Sequence, residues 1–324
     1  MTIQKPAMLR PGATIGVVAP SSPPDENRLH EGVLYLEKLG YRVVVGNYVT
    51  RRYGHLAGSD AERAADLNEM FARPDIDAIF CARGGYGVSR LLDRLDYDTI
   101  LRNPKILVGY SDTTALQLAL FSRTGLVSFS GPMVAVEFAG GILPQTEEAF
   151  WRMITEPEPF GVLAPFSGRS LGVVQEGQGE GTLIGGCLSL VANLLGTDFF
   201  PAPAEAVLFI EDIGEKPMHI DRHLANVRHS AIFQKLRGVI TGEFLESEVE
   251  NPDSVLDLDE ILKDHFERAG IPVLTGLDYG HGDLKYTLPI GVRARLSSSA
   301  RELRILEAAV RRPDSTTIAI ESVS

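Results

Sequence analysis

One serine stands where a buried strand meets a helix, a position typical of nucleophiles. Ser111 lies in the segment GYSDTTAL, directly after the apolar run ILV. A serine at a sharp strand-to-helix turn exposes its hydroxyl above the sheet edge, and the main-chain N–H of Asp112 is then placed to bind an oxyanion. The usual turn has a second glycine two residues after the serine, where this chain has Thr113. The local pattern is therefore weak, and by itself it favours a side chain that caps the helix.

A glycine-rich segment, ARGGYG, follows another apolar strand at residues 82–87. The N–H groups of Gly84 and Gly85 are candidates for completing an oxyanion hole or for cradling a phosphate. The segment is not G-x-G-x-x-G and has no acidic residue at the position expected for a ribose contact, which weakens a nucleotide hypothesis. Arg83 is a candidate for binding a substrate carboxylate through two parallel hydrogen bonds. The structural alternative is a tight turn that requires glycine, with Arg83 on a solvated edge.

An acid and a histidine in the second half of the chain are the candidates for activating a serine. Glu211 follows the apolar run AVLFI, and His281 lies between Gly280 and Gly282 in a segment typical of a loop. A nucleophilic serine needs a base that takes its proton and an acid that orients the base. Ser111, Glu211 and His281 supply these groups in an order that triads are known to use. Solvated acids are also common at strand ends, so a purely structural role for Glu211 stays open.

The first half of the chain alternates short apolar runs with helical patterns, and this alternation predicts how the candidates are positioned. The predicted strands are 14–19, 41–45, 76–81, 105–108 and 126–130. The predicted helices are 29–39, 60–71, 88–95 and 113–122. Such alternation is typical of crossover units in a parallel sheet. Ligands of such sheets bind outside the carboxyl ends of the strands, where the loops PSSPP, RGGYG and GYSD are expected.

The pattern changes at residues 166–181, a glycine-rich and non-periodic stretch that predicts a linker. An N-terminal α/β domain, 1–165, and a C-terminal domain, 182–324, are expected on either side. The C-terminal domain is predicted to contain helices 188–195 and 219–230 and strands 206–210 and 238–243. Alternation in YTLPIGVRARLSS and RELRILE predicts paired antiparallel strands. The predicted fold class is α/β, with a flavodoxin-like parallel sheet first and a smaller α+β domain second.

The composition limits the classes of function that the chain can have. It has 324 residues, 44% of them hydrophobic, and a net charge of −12 from 43 acidic and 31 basic side chains. This balance argues against general nucleic-acid binding, which requires a basic surface. Cys81 and Cys187 are far apart and indicate neither a disulfide framework nor a metal site. The apolar run at 15–19 is too short for a signal peptide and no stretch reaches the length of a membrane span, so a cytoplasmic location is expected.

Several segments, taken in order, resemble the serine LD-carboxypeptidases, the muramoyltetrapeptide carboxypeptidase family. The matching segments are PGATIGVVAPSSP, RGGYG, GYSDTTAL, SGPM, IGGCLSL, IEDIGEKP with IDR, and GHGD, and they cover nearly the whole chain. The resemblance implies a Ser-Glu-His triad at the interface of two domains. Ser111 would be the nucleophile, His281 the base and Glu211 the acid that orients the base.

The resemblance also implies an oxyanion hole formed by the N–H of Asp112 and that of Gly84 or Gly85. Arg83 and Tyr110 are the candidates for contacting the substrate. The family removes the terminal D-alanine from cytoplasmic murein tetrapeptides during peptidoglycan recycling, by cutting an L,D bond next to a diamino acid. It implies no metal or other cofactor, and homodimers are usual.

Three positions depart from the family pattern outside the triad. Met218 stands where an aromatic residue is common, His219 where a basic one is common, and Cys187 where asparagine is frequent. These departures leave the substrate open, including the preferred diamino acid and any need for a muramyl sugar. One alternative is a sister group with the same triad, which cleaves peptide–nucleotide antibiotics and confers immunity. Alternatives from other classes are a nucleotide- or phosphate-binding protein that uses RGGYG, and a non-catalytic module that binds small peptides.

Overall fold

The computed structural model describes residues 2–248 and 255–313, which contain fourteen strands and nine α-helices. The strands are β1 (Thr14–Val18), β2 (Arg42–Val45), β3 (Ala78–Cys81), β4 (Ile106–Gly109), β5 (Ser128–Ser130), β6 (Gly161–Leu163), β7 (Gly172–Gln175), β8 (Gln178–Cys187), β9 (Ala206–Ile213), β10 (Leu236–Leu245), β11 (Val273–Thr275), β12 (Leu288–Ile290), β13 (Arg293–Ser297) and β14 (Glu302–Ile305). The helices are α1 (Glu26–Lys38), α2 (Asp60–Ala72), α3 (Tyr97–Arg102), α4 (Thr114–Thr124), α5 (Glu137–Gly140), α6 (Pro144–Thr155), α7 (Leu188–Leu194), α8 (Pro217–His229) and α9 (Leu258–Phe266). Among these helices, none has both the length and the apolar character that a membrane crossing requires.

The first sheet has six strands in the order β12-β5-β4-β3-β1-β2. The strands β1 to β5 are parallel and lie in the order 2-1-3-4-5, which is the flavodoxin-like arrangement. The strand β12 comes from the C-terminal part of the chain and pairs antiparallel with β5. The predicted parallel sheet is therefore confirmed, and the carboxyl ends of β1, β3 and β4 lie side by side at one edge.

The local sequence explains where the helices around this sheet begin and end. The Asp25 carboxylate accepts the Arg28 N–H at 3.0 Å and starts α1. A capping box between Ser59 and Glu62 starts α2, since each side chain binds the main chain of the other. Gly125, with φ of 73°, ends α4 in the left-handed conformation that glycine adopts without strain.

The predicted helix at 88–95 is wrong, because the structure has two short 3-10 turns there, Val88–Arg90 and Leu92–Arg94. The N–H of Val88 donates to the Asp112 carboxylate at 3.0 Å, so a side chain from another loop fixes where the first turn begins. A phosphate cradle after RGGYG relies on the dipole of a following helix, and a turn of this length provides almost none. The structure therefore does not favour the phosphate hypothesis.

The second sheet has eight strands in the order β6-β14-β13-β8-β9-β10-β11-β7. Its centre, β8 to β11, is parallel, and antiparallel strands flank it on both sides. The predicted antiparallel pairing near the C-terminus is confirmed as β13 with β14. The strand β9 is buried through all but its last residue, and it carries Glu211 near its carboxyl end.

The segment 166–181 is not the linker that its composition predicts. It contributes β7 and the first residues of β8 to the second sheet. Its glycines let neighbouring backbone come close: a Cβ built at Gly179 would lie 1.7 Å from the Arg237 carbonyl oxygen, and one at Gly181 would lie 2.7 Å from the Ala206 backbone. Glycine inside a strand often marks such a close approach, which also removes the periodic pattern by which strands are predicted.

The two sheets are joined by contacts on both sides of the turn that carries Ser111. The N–H of Cys187, at the end of β8, donates to Thr114 Oγ1 at the start of α4 at 3.1 Å. Ser130 ends β5, and Tyr279 lies in the loop before β12. Their hydroxyls form a buried hydrogen bond of 2.8 Å. Residues from both halves of the chain are thereby held around one cleft.

Candidate active site

The turn that carries Ser111 is held in a strained conformation by its own hydrogen bonds. The strand β4 ends at Gly109, and Ser111 begins a 3-10 turn with φ of 64°, in the left-handed region that residues other than glycine rarely adopt. Thr113 Oγ1 donates to the Tyr110 carbonyl at 2.9 Å, and Gln117 Nε2 donates to the Gly109 carbonyl at 2.9 Å. Thr113, which stands in place of the usual second glycine, therefore stabilises the turn through its hydroxyl.

Neither Ser111 nor Asp112 caps the following helix, so the role favoured by local sequence is wrong. The 3-10 turn and α4 both begin without a side-chain cap. The Asp112 carboxylate instead accepts the Val88 N–H, and its burial raises the pKa of this group. As the second residue of the turn, Asp112 has a main-chain N–H without an acceptor inside the helix. That N–H is the predicted oxyanion donor.

The loop RGGYG packs directly against the Ser111 turn. A Cβ built at Gly84 would lie 2.9 Å from Ser111 Cβ, so a larger residue here would displace the serine. Gly85 has φ of 124°, and a Cβ on it would lie 2.3 Å from the hydroxyl of Ser22 in the loop after β1. The Tyr86 N–H donates to the same hydroxyl at 3.2 Å. The three loops predicted at the sheet edge are therefore in contact.

A buried arginine that sequence reasoning missed supports these loops from below. Arg63 of α2 is 1% exposed, binds Asp60 at 2.5 Å and donates to the Pro20 carbonyl in the first loop. A Cβ on Gly87 would lie 2.7 Å from its Nη1, so the guanidinium also packs under RGGYG. Only its place in an amphipathic helix was visible in the sequence, and charged residues of such helices are usually exposed.

The second half of the chain contributes a buried carboxylate and a histidine. Glu211 is 0% exposed, and its Oε2 lies 2.7 Å from Nδ1 of His281. Burial raises the pKa of the Glu211 carboxyl, and the hydrogen bond from His281 opposes that rise. Gly280, at φ of 126°, packs against the Glu211 side chain. Glu211 is therefore not a solvated acid at a strand end. Its hydrogen bond engages Nδ1 of His281, and Nε2 is the other nitrogen of the ring.

The acid that follows Glu211 in β9 has a different task. The Asp212 carboxylate accepts the Ser189 N–H at 2.7 Å and the Cys187 thiol at 3.3 Å, which fixes the start of α7. Neighbouring residues of a strand point to opposite faces. Glu211 therefore points toward the cleft, whereas Asp212 stabilises the start of α7.

A cavity of about 440 Å³ brings the predicted residues together. Six of the predicted residues line it, namely Arg83, Gly84, Gly85, Tyr110, Ser111 and His281. Asp112 and Glu211 lie behind this wall, at 4% and 0% exposed. Ser111 and His281 line the same cavity, and no direct hydrogen bond joins these two described residues. A second cavity of about 460 Å³ continues the cleft, and it shares Arg28, Tyr110, Val136 and His281 with the first.

An ion pair between the two halves of the chain borders this cleft. Lys285, from the loop after His281, binds Glu137 of α5 at 2.5 Å, and both side chains are at most 10% exposed. The Tyr110 hydroxyl donates to the same Glu137 oxygen at 2.8 Å. The Lys285 ammonium lies 4.2 Å from the centre of the Tyr110 ring, which also meets the His281 ring edge-on at 5.1 Å. No sequence signal predicted the Glu137–Lys285 pair, because its members are far apart in the chain.

The fold and the cleft together define a class: a two-sheet α/β protein whose cleft holds the residue types of a serine hydrolase. Comparison with known proteins gives the particular family. Residues 15–131 match the model of the LD-carboxypeptidase N-terminal domain, and residues 180–296 match that of the LD-carboxypeptidase C-terminal domain. The chain belongs to the LD-carboxypeptidase family.

Individual relatives agree with this assignment over nearly their whole length. The chain is 37% identical to the probable murein peptide carboxypeptidase of Bacillus subtilis over 307 residues, which are 94% of this chain and 95% of the relative. It is 30% identical to the microcin C7 self-immunity protein of Escherichia coli, over 93% of this chain and 95% of that protein. The crystal structure of muramoyltetrapeptide carboxypeptidase from Oxalobacter formigenes superposes with a TM-score of 0.80 at 33% identity, covering 90% of this chain and 98% of that one.

Proposed function

We propose that the protein is a serine carboxypeptidase that releases the terminal D-alanine of murein tetrapeptides by hydrolysing an L,D peptide bond. The observation that carries the proposal is the hydrogen bond between the buried Glu211 and His281, which lines the same cavity as Ser111. The names of the Bacillus and Oxalobacter relatives support the murein peptide as substrate. The family resemblance also supports a homodimer in the cytoplasm.

Each residue has a defined part in the proposed reaction. Ser111 Oγ attacks the carbonyl carbon of the bond before D-alanine, while His281 Nε2 takes its proton. Glu211 holds the Nδ1–H tautomer and stabilises the imidazolium. The N–H groups of Asp112 and of Gly84 or Gly85 bind the oxyanion.

The leaving group and the acyl group then depart in separate steps. His281 returns the proton to the amine of D-alanine as the C–N bond breaks, which leaves an ester on Ser111. Water attacks that ester, with His281 again as base, and the tripeptide leaves with a free carboxylate. The overall reaction consumes one water molecule and cleaves one peptide bond.

Release of D-alanine from a purified murein tetrapeptide tests the proposal directly. We expect Ser111→Ala to lower the rate by at least about 10⁴-fold, since the proposed nucleophile is removed. The midpoint temperature of thermal unfolding should stay close to that of the wild type. The matched control is Ser89→Ala, which removes an exposed hydroxyl in the 3-10 turn after RGGYG and should retain activity. Wild-type activity should also survive a chelator. Full activity of Ser111→Ala would refute the serine mechanism.

A second candidate function comes from the immunity protein among the relatives. That relative is named for self-immunity to microcin C7. Turnover of a peptidyl-nucleotide is the alternative activity that we propose to test for this chain. Nucleobases are commonly bound by stacking on exposed aromatic rings. In the described part of the chain, the rings lining the two cavities are those of His281 and of Tyr110, and Tyr110 is 5% exposed. The cleft therefore favours a peptide, and parallel turnover of both substrates decides between the two.

A further inference from the structure

Two arginines line the cavity that contains Ser111, and the hydrogen bonds of both go to main-chain carbonyls. Arg28, from α1, and Arg83, from RGGYG, face this space in a chain of net charge −12. Three acids also line the two cavities. Glu137 binds Lys285 and the Tyr110 hydroxyl, Asp25 accepts the main-chain N–H of Arg28 at 3.0 Å, and Asp283 lies in the second cavity. The cleft thus presents two guanidinium groups to whatever enters it.

Arg28 is held in place much more firmly than Arg83. Its Nε donates to the Ala135 carbonyl at 2.9 Å and its Nη2 to the Val136 carbonyl at 2.8 Å. The main chain at Ala135 is itself fixed, because its N–H donates to the Ala82 carbonyl at the end of β3 at 2.8 Å. Gly140 leaves room for the guanidinium, since a Cβ there would lie 3.1 Å from Nη2. Arg28 is therefore preorganised, with Nη1 and the remaining Nη2 hydrogen left for a ligand.

Arg83 is held differently. Both arginines are exposed, but the hydrogen bond of Arg83 runs from Nε to the carbonyl of the adjacent Gly84 at 3.2 Å and does not tie it to a distant segment. It lines the first cavity, whereas Arg28 lines both the first and the second. A cation with one local hydrogen bond beside the glycine loop is suited to the acyl side of a substrate. A cation held by two carbonyls at the junction of the cavities is suited to a group of fixed position.

The proposed proton transfers determine on which side of Ser111 the released residue lies. In the proposed reaction His281 returns its proton to the amine of the leaving residue, so that residue sits on the His281 side of Ser111. One carbon separates this amine from the terminal carboxylate. Arg28 shares both cavities with His281. A guanidinium matches the planar geometry of a carboxylate.

We propose that Arg28 binds the terminal carboxylate of the residue that is released, and that this contact makes the enzyme cut only at a free C-terminus. This inference rests on the proposed carboxypeptidase function and deepens it. The chemical class of ligand is an α-carboxylate on a small residue, next to the scissile bond. Side-chain carboxylates elsewhere in the substrate are left to Arg83.

The test compares a tetrapeptide that ends in D-alanine with the same peptide ending in D-alaninamide. For the wild type we expect kcat/KM for the acid to exceed that for the amide by about 100-fold, since a charge-assisted pair in a cleft is lost. Arg28→Gln should reduce this ratio to below about 5, mainly by slowing the acid. Arg28→Lys keeps the charge but not the planar fork, so an intermediate ratio is expected.

The matched control is Arg83→Gln, which removes an equal charge from the same cavity. Its acid-to-amide ratio should stay within about 3-fold of the wild type, even if both rates fall. A ratio unchanged by Arg28→Gln, or abolished by Arg83→Gln, would overturn the proposal. Thermal unfolding of each variant excludes loss of folding as the cause.

Binding separates this inference from the proposed function. In a Ser111→Ala background, calorimetry with the acid and the amide measures recognition without turnover. Tight binding of the acid that Arg28→Gln abolishes supports the arginine contact even where the wild type fails to release D-alanine. Equal binding of acid and amide contradicts the contact even where hydrolysis proceeds.

Discussion

The two halves of the chain hold their candidate catalytic groups by different physical means. In the first half, Ser111 is positioned by main-chain conformation: a φ of 64°, a neighbouring glycine loop and hydrogen bonds to carbonyl groups of the turn. In the second half, His281 is positioned by one buried carboxylate at 2.7 Å. A change in the first region acts through space and backbone strain, whereas a change in the second acts through charge and burial. Variants in each region should therefore fail in distinguishable ways.

Among variants that keep Ser111, the largest loss of activity is expected from neutralising the buried acid. Glu211→Gln keeps the shape of the side chain but no longer holds the Nδ1–H tautomer or stabilises the imidazolium, so D-alanine release should fall by about 10³- to 10⁴-fold. The control is Asp212→Asn, which alters the adjacent acid outside the cleft and should change stability more than kcat. Equal losses of kcat in the two variants would contradict the division of tasks within β9.

The same variant should alter how stability depends on pH. Burial raises the folded-state pKa of Glu211 above its ordinary value of 4.5, so the folded protein binds this proton more tightly than the unfolded chain. Wild-type stability should therefore fall relative to Glu211→Gln as pH rises from 4.5 to the raised pKa, with a slope of at most about 1.4 kcal/mol per pH unit. Urea unfolding of both proteins across this pH range measures the difference in their free energies of unfolding. A difference that grows in favour of the wild type would contradict a buried, destabilised carboxylate.

A smaller effect is expected from crowding the Ser111 turn. A Cβ at Gly84 would lie 2.9 Å from Ser111 Cβ, so Gly84→Ala must displace either the serine or the oxyanion donors. We expect kcat to fall by about 10- to 100-fold with little change in KM, because small misplacements of reacting groups cost this much. The control is Gly54→Ala, where φ is 61° and no atom lies within 4 Å. That variant should lose stability and keep its kcat.

Sequence reasoning succeeded where a local pattern reports the structure and failed where distant contacts decide it. The parallel strands β1, β3 and β4 were predicted because buried strands between helices have a clear pattern. The 166–181 segment was mistaken for a linker because its glycines serve close strand packing instead of flexibility.

The candidate site shows the same limit. Ser111, Glu211 and His281 were found from chain order and family resemblance, since no spacing rule predicts a hydrogen bond between residues 211 and 281. Lys285 and Glu137 were missed because each looks like an ordinary surface charge in its own segment. Their burial arises only when the two halves of the chain pack together.

The smallest expected effect is one of stability, and it tests whether the backbone at Ser111 is strained. A residue other than glycine in the left-handed region costs about 1 kcal/mol or more relative to glycine. Ser111→Gly should therefore raise the free energy of unfolding by up to about 1 kcal/mol over Ser111→Ala, because both lack the hydroxyl and only alanine keeps the strain. Both should be inactive, and urea unfolding at one pH compares them. Equal stabilities would mean that flexibility gained in the unfolded chain offsets the relief, whereas a less stable glycine variant would refute strain at Ser111 and leave the backbone account of the first region without support.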